Sequence, residues 1–226
     1  MDGWHIAVPS PEFSNTINLL SSGFMVFEYH HPAPHAWEAL TPFEQSLAAG
    51  FPERRKYSFM ASRISLKLLS YRIGLIDGRR EARTLETIDP KDGRPLLPGA
   101  EGRFYPSVSH DKRFSMTVAD KRPIGVDIEL ISPRLIKGRH IFMNPEETAV
   151  ADGSGLDLTV AATMVWTAKE AASKALNLHL IETWRAVRLI KLGKRESIFA
   201  CGSSELRANH VFEWDRVVSV VKGLLN

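Results

Sequence analysis

Apolar and polar residues alternate with two different periods along this chain, and the switch between them outlines its elements. "GFMVFEYH" alternates with period two and predicts a strand from Phe24 to Tyr29. "LTPFEQSLAAG" predicts a short helix: Thr41 and Glu44 form a capping box, Pro42 takes the first helical position and Gly50 supplies the stop. From Pro52 a longer helix follows, with Tyr57, Met60, Ile64, Leu68 and Tyr71 recurring at spacings of three and four as its expected buried face. Lys56, Arg63 and Lys67 fall on another side of it, the arrangement of an ordinary solvated face. Residues 77 to 105 carry two Asp-Gly pairs and three prolines and read as loop.

Period two returns in "FYPSVSH", "RFSMTVAD" and "PIGVDIELI", expected as an antiparallel meander with tight connections at 111 to 112 and 120 to 123. Asn144 and Pro145 open a short helical stretch. Asp157 caps a long alanine-rich helix that ends at Asn177. From Trp184 onwards the chain reads as strands again, which makes the whole mixed α+β. The first 36 residues, rich in Pro and His, carry only the one strand signal.

Composition narrows the picture little. The chain has 226 residues, 44% of them hydrophobic, enough for a packed core in one or two domains. No apolar run has the length of a membrane span and the start has no signal-peptide pattern, so a cytoplasmic address is expected. The single Cys201 cannot form an intramolecular disulfide. A net charge of +3 attracts acidic partners of any kind, and no nucleic-acid motif accompanies it.

Candidate chemistry lies in "GVDIE" and "WTAKEAASK". Asp127 and Glu129 share one face of their strand, while Glu170 and Lys174, four apart, share one face of their helix. Each pair alone is commonplace on a solvated surface. Together the three acids supply hard oxygen donors suited to Mg²⁺ or Mn²⁺, and a divalent ion would offset the repulsion between the neighbouring carboxylates.

"SVSH" (107 to 110), "GVDIE" (125 to 129) and "WTAKEAASK" (166 to 174) resemble, in order and spacing, the 4'-phosphopantetheinyl transferases, and in particular their longer monomeric type, related to the activator of surfactin synthetase. "LTPFE", "RRKYSFMASRISLKLL", "DGRP" and "FMNPEE" extend the resemblance over most of residues 40 to 177. It implies two similar α/β halves related by a pseudo-twofold, an N-terminal one (1 to 123) binding coenzyme A phosphates and a C-terminal one (124 to 226) holding the metal, with the active site in the cleft between them. It implies transfer of the phosphopantetheine arm of coenzyme A to a serine of an apo acyl or peptidyl carrier protein, releasing 3',5'-ADP.

The resemblance also implies roles. Asp127, Glu129 and Glu170 match the metal-binding acids, with Glu170 also the base, and Lys174 matches a pyrophosphate contact. Gly93, Arg94, Ser107, Val108, Ser109 and His110 match coenzyme A contacts, His110 at the 3'-phosphate, and the early cations, Arg55 and Arg63 among them, suit the remaining phosphates. Many relatives carry Arg where this chain has Leu47, which leaves open whether Arg54, Arg55 or Lys56 replaces it. Other readings are a catalytically idle relative that binds coenzyme A or a carrier, and a metal-dependent phosphohydrolase; nucleic-acid binding rests on charge alone.

Overall fold

The computed structural model describes residues 4–29, 35–78, 83–100 and 102–223. It is mixed α+β and divides into two compact units, Met1–Lys121 and Arg122–Asn226. Parts of the turn-rich segment 77 to 105 and of the closing apolar run lie outside the described residues.

The first unit is a four-stranded antiparallel sheet in the order β1-β2-β4-β3, built from β1 (Trp4–Ile6), β2 (Gly23–Tyr29), β3 (Tyr105–His110) and β4 (Phe114–Asp120). Helix α1 (Pro11–Leu20) joins the first two strands; Ser10 caps it and Phe13 and Ile17 anchor it in the core. The sequence reading had no helix there, because two buried residues are too few to set a period. The Thr41 capping box starts α2 (Pro42–Ala49), and the long α3 (Glu53–Arg72) packs over β2 and β4.

The buried face of α3 differs from the expected one. Met60 is buried, but Tyr57, Ile64 and Leu68 are half-buried and Tyr71 is exposed. Ser58, Ala61, Ser62, Ser65, Leu66 and Leu69 take their place, since small side chains let the helix lie close to the sheet. Two of the three cations expected on a solvated face, Arg63 and Lys67, are buried as well.

The second unit is a five-stranded antiparallel sheet in the order β5-β9-β8-β7-β6, with β5 (Ile124–Leu130), β6 (Val187–Leu192), β7 (Glu196–Cys201), β8 (Ser204–Glu213) and β9 (Arg216–Lys222). The meander expected for residues 104 to 131 therefore ends after two strands. β3 and β4 form a hairpin, whereas β5 pairs along its length with β9, near the far end of the chain. Pro123, which has no N–H to donate, stands where that ladder would have continued.

Short helices α4 (Pro133–Lys137), α5 (Arg139–Phe142) and α6 (Pro145–Asp152) lead to α7 (Leu158–Leu176), capped by Asp157 and closed by Asn177 in a left-handed conformation, φ 56°. Helix α8 (Leu180–Ala186) precedes β6, so the expected strand beginning at Trp184 starts three residues later. Helix α7 lies on β5 and β9 at backbone distance. A Cβ on Gly125 would stand 1.8 Å from the carbonyl oxygen of Ala171, so only glycine fits there.

The two units repeat the same internal contacts 102 residues apart. Ser65 Oγ meets Thr117 Oγ1 at 2.6 Å between α3 and β4, and Thr167 Oγ1 meets Ser219 Oγ at 2.5 Å between α7 and β9. Arg72 donates to Phe24 O at 3.4 Å, and Lys174 to Val126 O at 2.8 Å. Gly23 and Gly125 open the strand under the long helix in each unit.

The largest repeated feature is a buried ion pair. Lys67 Nζ lies 2.9 Å from Glu44, and Lys169 Nζ lies 2.7 Å from Glu147. Both glutamates are the third residue of a capping box and reach back to the N-cap amide, of Thr41 and of Asn144, at 3.0 Å. Each also accepts a backbone N–H from a distant segment, Thr87 at 3.0 Å and Leu189 at 2.7 Å. Each lysine donates to a carbonyl as well, of Ala39 and of Phe142. With so many bonds made the buried charges are satisfied, and removing one partner leaves the other uncompensated.

Two stability outcomes follow. Lys169→Ala is expected to lower unfolding stability in urea by about 3 to 5 kcal/mol, against less than about 0.5 kcal/mol for the exposed Lys191→Ala. Gly125→Ala should cost about 3 kcal/mol or more, because a backbone oxygen rather than a flexible side chain must move; a melting temperature equal to wild type would exclude the close approach.

Candidate functional site

In the second unit the expected residues converge on β5 and α7. Asp127 is not on a wet sheet face: it is 5% exposed, with α7 above it. Its Oδ1 accepts from Lys174 Nζ at 2.9 Å, the same ammonium that donates to Val126 O. Helical spacing places Glu170 one turn before Lys174, and it is half-buried. Burial foremost, and then the charge of Asp127, push the Glu170 carboxyl up to about 7, while Lys174 pulls the other way. Glu129 is half-buried two residues along β5, opposite Val217 on β9.

Asp127 and Glu170 fit a hard divalent cation by donor type and by their mutual repulsion, which such an ion would relieve. Among the described residues, no three His, Cys, Asp or Glu side chains gather closely enough to hold a metal ion. The pair of acids with its lysine is thus the assembled part of the expected set.

Lys169 sits beside Glu170 in "WTAKE" but faces the other way. It is fully buried on Glu147, and desolvation lowers its pKa while that glutamate opposes the shift. One lysine of the motif is therefore a structural tie and the other, Lys174, a member of the site.

In the first unit a cavity of about 460 Å³ collects Arg55, Arg63, Gly93, Val108 and His110 from the expected set. Strand alternation explains why "SVSH" contributes only half its residues: Val108 and His110 line the cavity, while Ser107 and Ser109 are buried on the other side. Arg94 is not in the lining; it pairs with Asp92 at 3.0 Å in the turn that Gly93, at φ 75°, makes possible.

Three aromatic residues in the lining, Phe43, Phe51 and Phe59, were not foreseen. Arg55 lies 4.3 Å over the ring of Phe51 and Arg63 5.2 Å over that of Phe59. The signal was present in the sequence as two Phe-to-Arg spacings of four, Phe59 to Arg63 within α3 and Phe51 to Arg55 across its start. The two arginines differ in availability. Arg55 is exposed at the mouth, whereas Arg63 is buried, donates to Thr87 O at 2.6 Å, and has its pKa pushed down to about 10 by desolvation.

Residues 123–219 match the model of the 4'-phosphopantetheinyl transferase superfamily. That span holds Asp127, Glu129, Glu170 and Lys174 and lies within the second unit. No curated protein matches the chain. Among the described residues no helix is long and apolar enough to cross a membrane.

A carboxyl whose pKa is raised binds its proton more tightly in the folded state, so its contribution to stability is full below its unfolded value near 4.5 and is lost as pH rises through about 7. The side-chain ¹³C shift of Glu170 should accordingly titrate near 7. Asp127→Asn should move that midpoint down by removing a neighbouring charge, and Lys174→Met should move it up. A wild-type midpoint near 4.5 would show that Glu170 is neither desolvated nor close to Asp127.

Proposed function

We propose that the chain transfers the 4'-phosphopantetheine arm of coenzyme A to a serine hydroxyl of an apo acyl or peptidyl carrier protein and releases 3',5'-ADP. The observation that carries this reading is the superfamily match over 123–219 together with Asp127, Glu170 and Lys174, which lie within that span and touch or perturb one another.

In the proposed reaction the serine oxygen forms a bond to the phosphorus that bears the pantetheine, and the bond from that phosphorus to the bridging oxygen of the pyrophosphate breaks. The electron pair leaves with 3',5'-ADP. Glu170 in its ionised form accepts the serine proton, and burial together with the charge of Asp127 makes it a stronger base than an ordinary carboxylate. Lys174 is held against β5 by Val126 O and Asp127, which fixes an ammonium beside the developing phosphate charge.

Asp127 and Glu170, with Glu129 proposed as a third ligand, would hold Mg²⁺ or Mn²⁺, which when bound neutralises charge on the phosphate oxygens. The cavity of the first unit is proposed to take the 3'-phosphoadenosine end of coenzyme A, its aromatic faces suiting the base, and Arg55 and His110 the phosphate. Arg55 is the cation proposed to serve where Leu47 stands in place of an arginine: both line that cavity. The enzyme so described acts as a cytoplasmic monomer.

Mass spectrometry of a panel of apo carriers incubated with coenzyme A, Mg²⁺ and the protein should show the mass gain of one arm. Glu170→Gln and Asp127→Asn should each slow transfer by at least about a hundredfold without unfolding the protein. Arg55→Ala should raise the KM for coenzyme A about tenfold and leave kcat unchanged. Mg²⁺ should move the Glu170 midpoint down in the absence of any carrier. No mass gain on any carrier would favour an idle binding protein, and free phosphopantetheine without a carrier would favour a hydrolase.

A further inference from the structure

Beneath α7 the second unit buries a titratable group that neither the acid pair nor the Glu147–Lys169 pair uses. His210 on β8 is 3% exposed. Its Nε2 lies 2.7 Å from Ser197 Oγ on β7 and its Nδ1 2.9 Å from Ser219 Oγ on β9, so one ring spans three strands. Ser219 Oγ lies in turn 2.5 Å from Thr167 Oγ1 on α7.

The proton order in this row is fixed by counting. Thr167 donates its single hydroxyl proton to Met164 O at 3.1 Å, so it accepts from Ser219. Ser219 has then used its proton and accepts from His210, which places the ring proton on Nδ1. Nε2 is left to accept from Ser197. This tautomer is assigned from the network, and it makes every bond in the row point toward α7. A cationic ring would aim a second N–H at Ser197; burial, which pushes the His210 pKa down to about 3, keeps it neutral.

The row ends where the site begins. Thr167 precedes Glu170 by three residues and Lys174 by seven on α7, and Ser219 stands opposite Asp127 in the β5–β9 ladder. The first unit makes the matching helix-to-strand contact, Ser65 to Thr117, with Val108 at the register position that His210 occupies. That unit folds without the imidazole and carries Met25 and Phe27 where the second carries Asp127 and Glu129. In the second unit the ring adds two bonds to that contact, tying Ser219 on β9 through β8 to Ser197 on β7.

We infer that His210 is a positioning residue for the acid pair: through Ser219 and Thr167 it fixes the register of α7 over β5 and β9, and thereby the placement of Glu170 against Asp127. Its kinetic consequence rests on the transfer reading of that site, and its structural consequence does not.

The test compares wild type with His210→Val, which installs the residue found at the matching register of the first unit. Amide hydrogen exchange, measured without coenzyme A, should be about tenfold faster at residues 167 to 170 and unchanged in β6. In the carrier assay kcat should fall about tenfold with the KM for coenzyme A unchanged, since a small misplacement of a reacting group suffices for such a loss. Adding Thr167→Val should lower kcat no further, because both act through one row.

Ser219→Ala cuts the same row with the loss of one oxygen and carries the same expectations if the valine variant fails to fold. Wild-type exchange in α7, unchanged kcat, or additive losses in the double variant would overturn the inference. A wild type that transfers no arm sinks the reading of the reaction instead, and the exchange measurement still decides whether His210 holds α7.

Discussion

The absence of a side chain at residue 125 governs the second unit. Because Gly125 has no Cβ, the Ala171 turn of α7 rests directly on the backbone of β5, and the small residues Ala168, Ala171, Ala172 and Ala175 continue the close contact along the helix. At that separation Asp127, two residues along the strand, comes to lie under the helix. Lys174 reaches both the Asp127 carboxylate and a strand carbonyl from above. The raised pKa of Glu170 is a consequence of the same approach, since desolvation and the charge of Asp127 both grow as helix and strand close up. In the first unit a Cβ on Gly23 would meet the ends of Ile73 and Leu69 rather than backbone, so that helix–strand contact is looser.

The buried lysines determine which cations remain for ligands. Lys67 and Lys169 are each enclosed by a glutamate and a carbonyl, and Arg63 is tied to Thr87 O. Neither lysine can turn to a phosphate without leaving a buried acceptor unmatched, which opposes any such movement, whereas Arg63 lines the cavity with Nη1 committed to Thr87 O. Among the described residues, positive charge at the acid pair comes from Lys174, and in the cavity lining from exposed Arg55 and buried Arg63. Counting basic residues in the motifs overestimates the phosphate-binding capacity of this chain.

Sequence patterns revealed elements well where a local rule decides them. The capping box at Thr41, the N-caps at Asn144 and Asp157 and the helix end at Asn177 all depend on residues within a turn of one another, and all are present. Long-range pairing was not legible: nothing in "PIGVDIELI" says that its partner is β9 rather than β4. Helical periodicity misassigned the face of α3, because serines and alanines pack against the sheet while Tyr71 is left exposed. Of the three acids expected to gather, Asp127 and Glu170 perturb one another, and the contact of Lys174 with Asp127 was not foreseen; nor was the role of Lys169, because its partner Glu147 lies on another helix. The repeat between the units was hidden because its matched positions keep geometry rather than identity, Ser65 standing for Thr167 and Arg72 for Lys174.

The two units share these contacts but differ in chemistry at matching positions. At matching positions the first unit has Met25, Phe27 and Leu68, and the second has Asp127, Glu129 and Glu170. Replacing apolar side chains by acids under a helix brings a desolvation cost of several kcal/mol per uncompensated charge. The cation at the end of each long helix is present in both units because it bonds a strand carbonyl, Phe24 O or Val126 O, whether or not an acid is nearby. In the second unit that cation lies 2.9 Å from Asp127, while Glu170, which it only partly compensates, has its pKa pushed up to about 7. A site with one acid paired to that cation and the other with its pKa pushed up to about 7 thus arises from one shared structural tie.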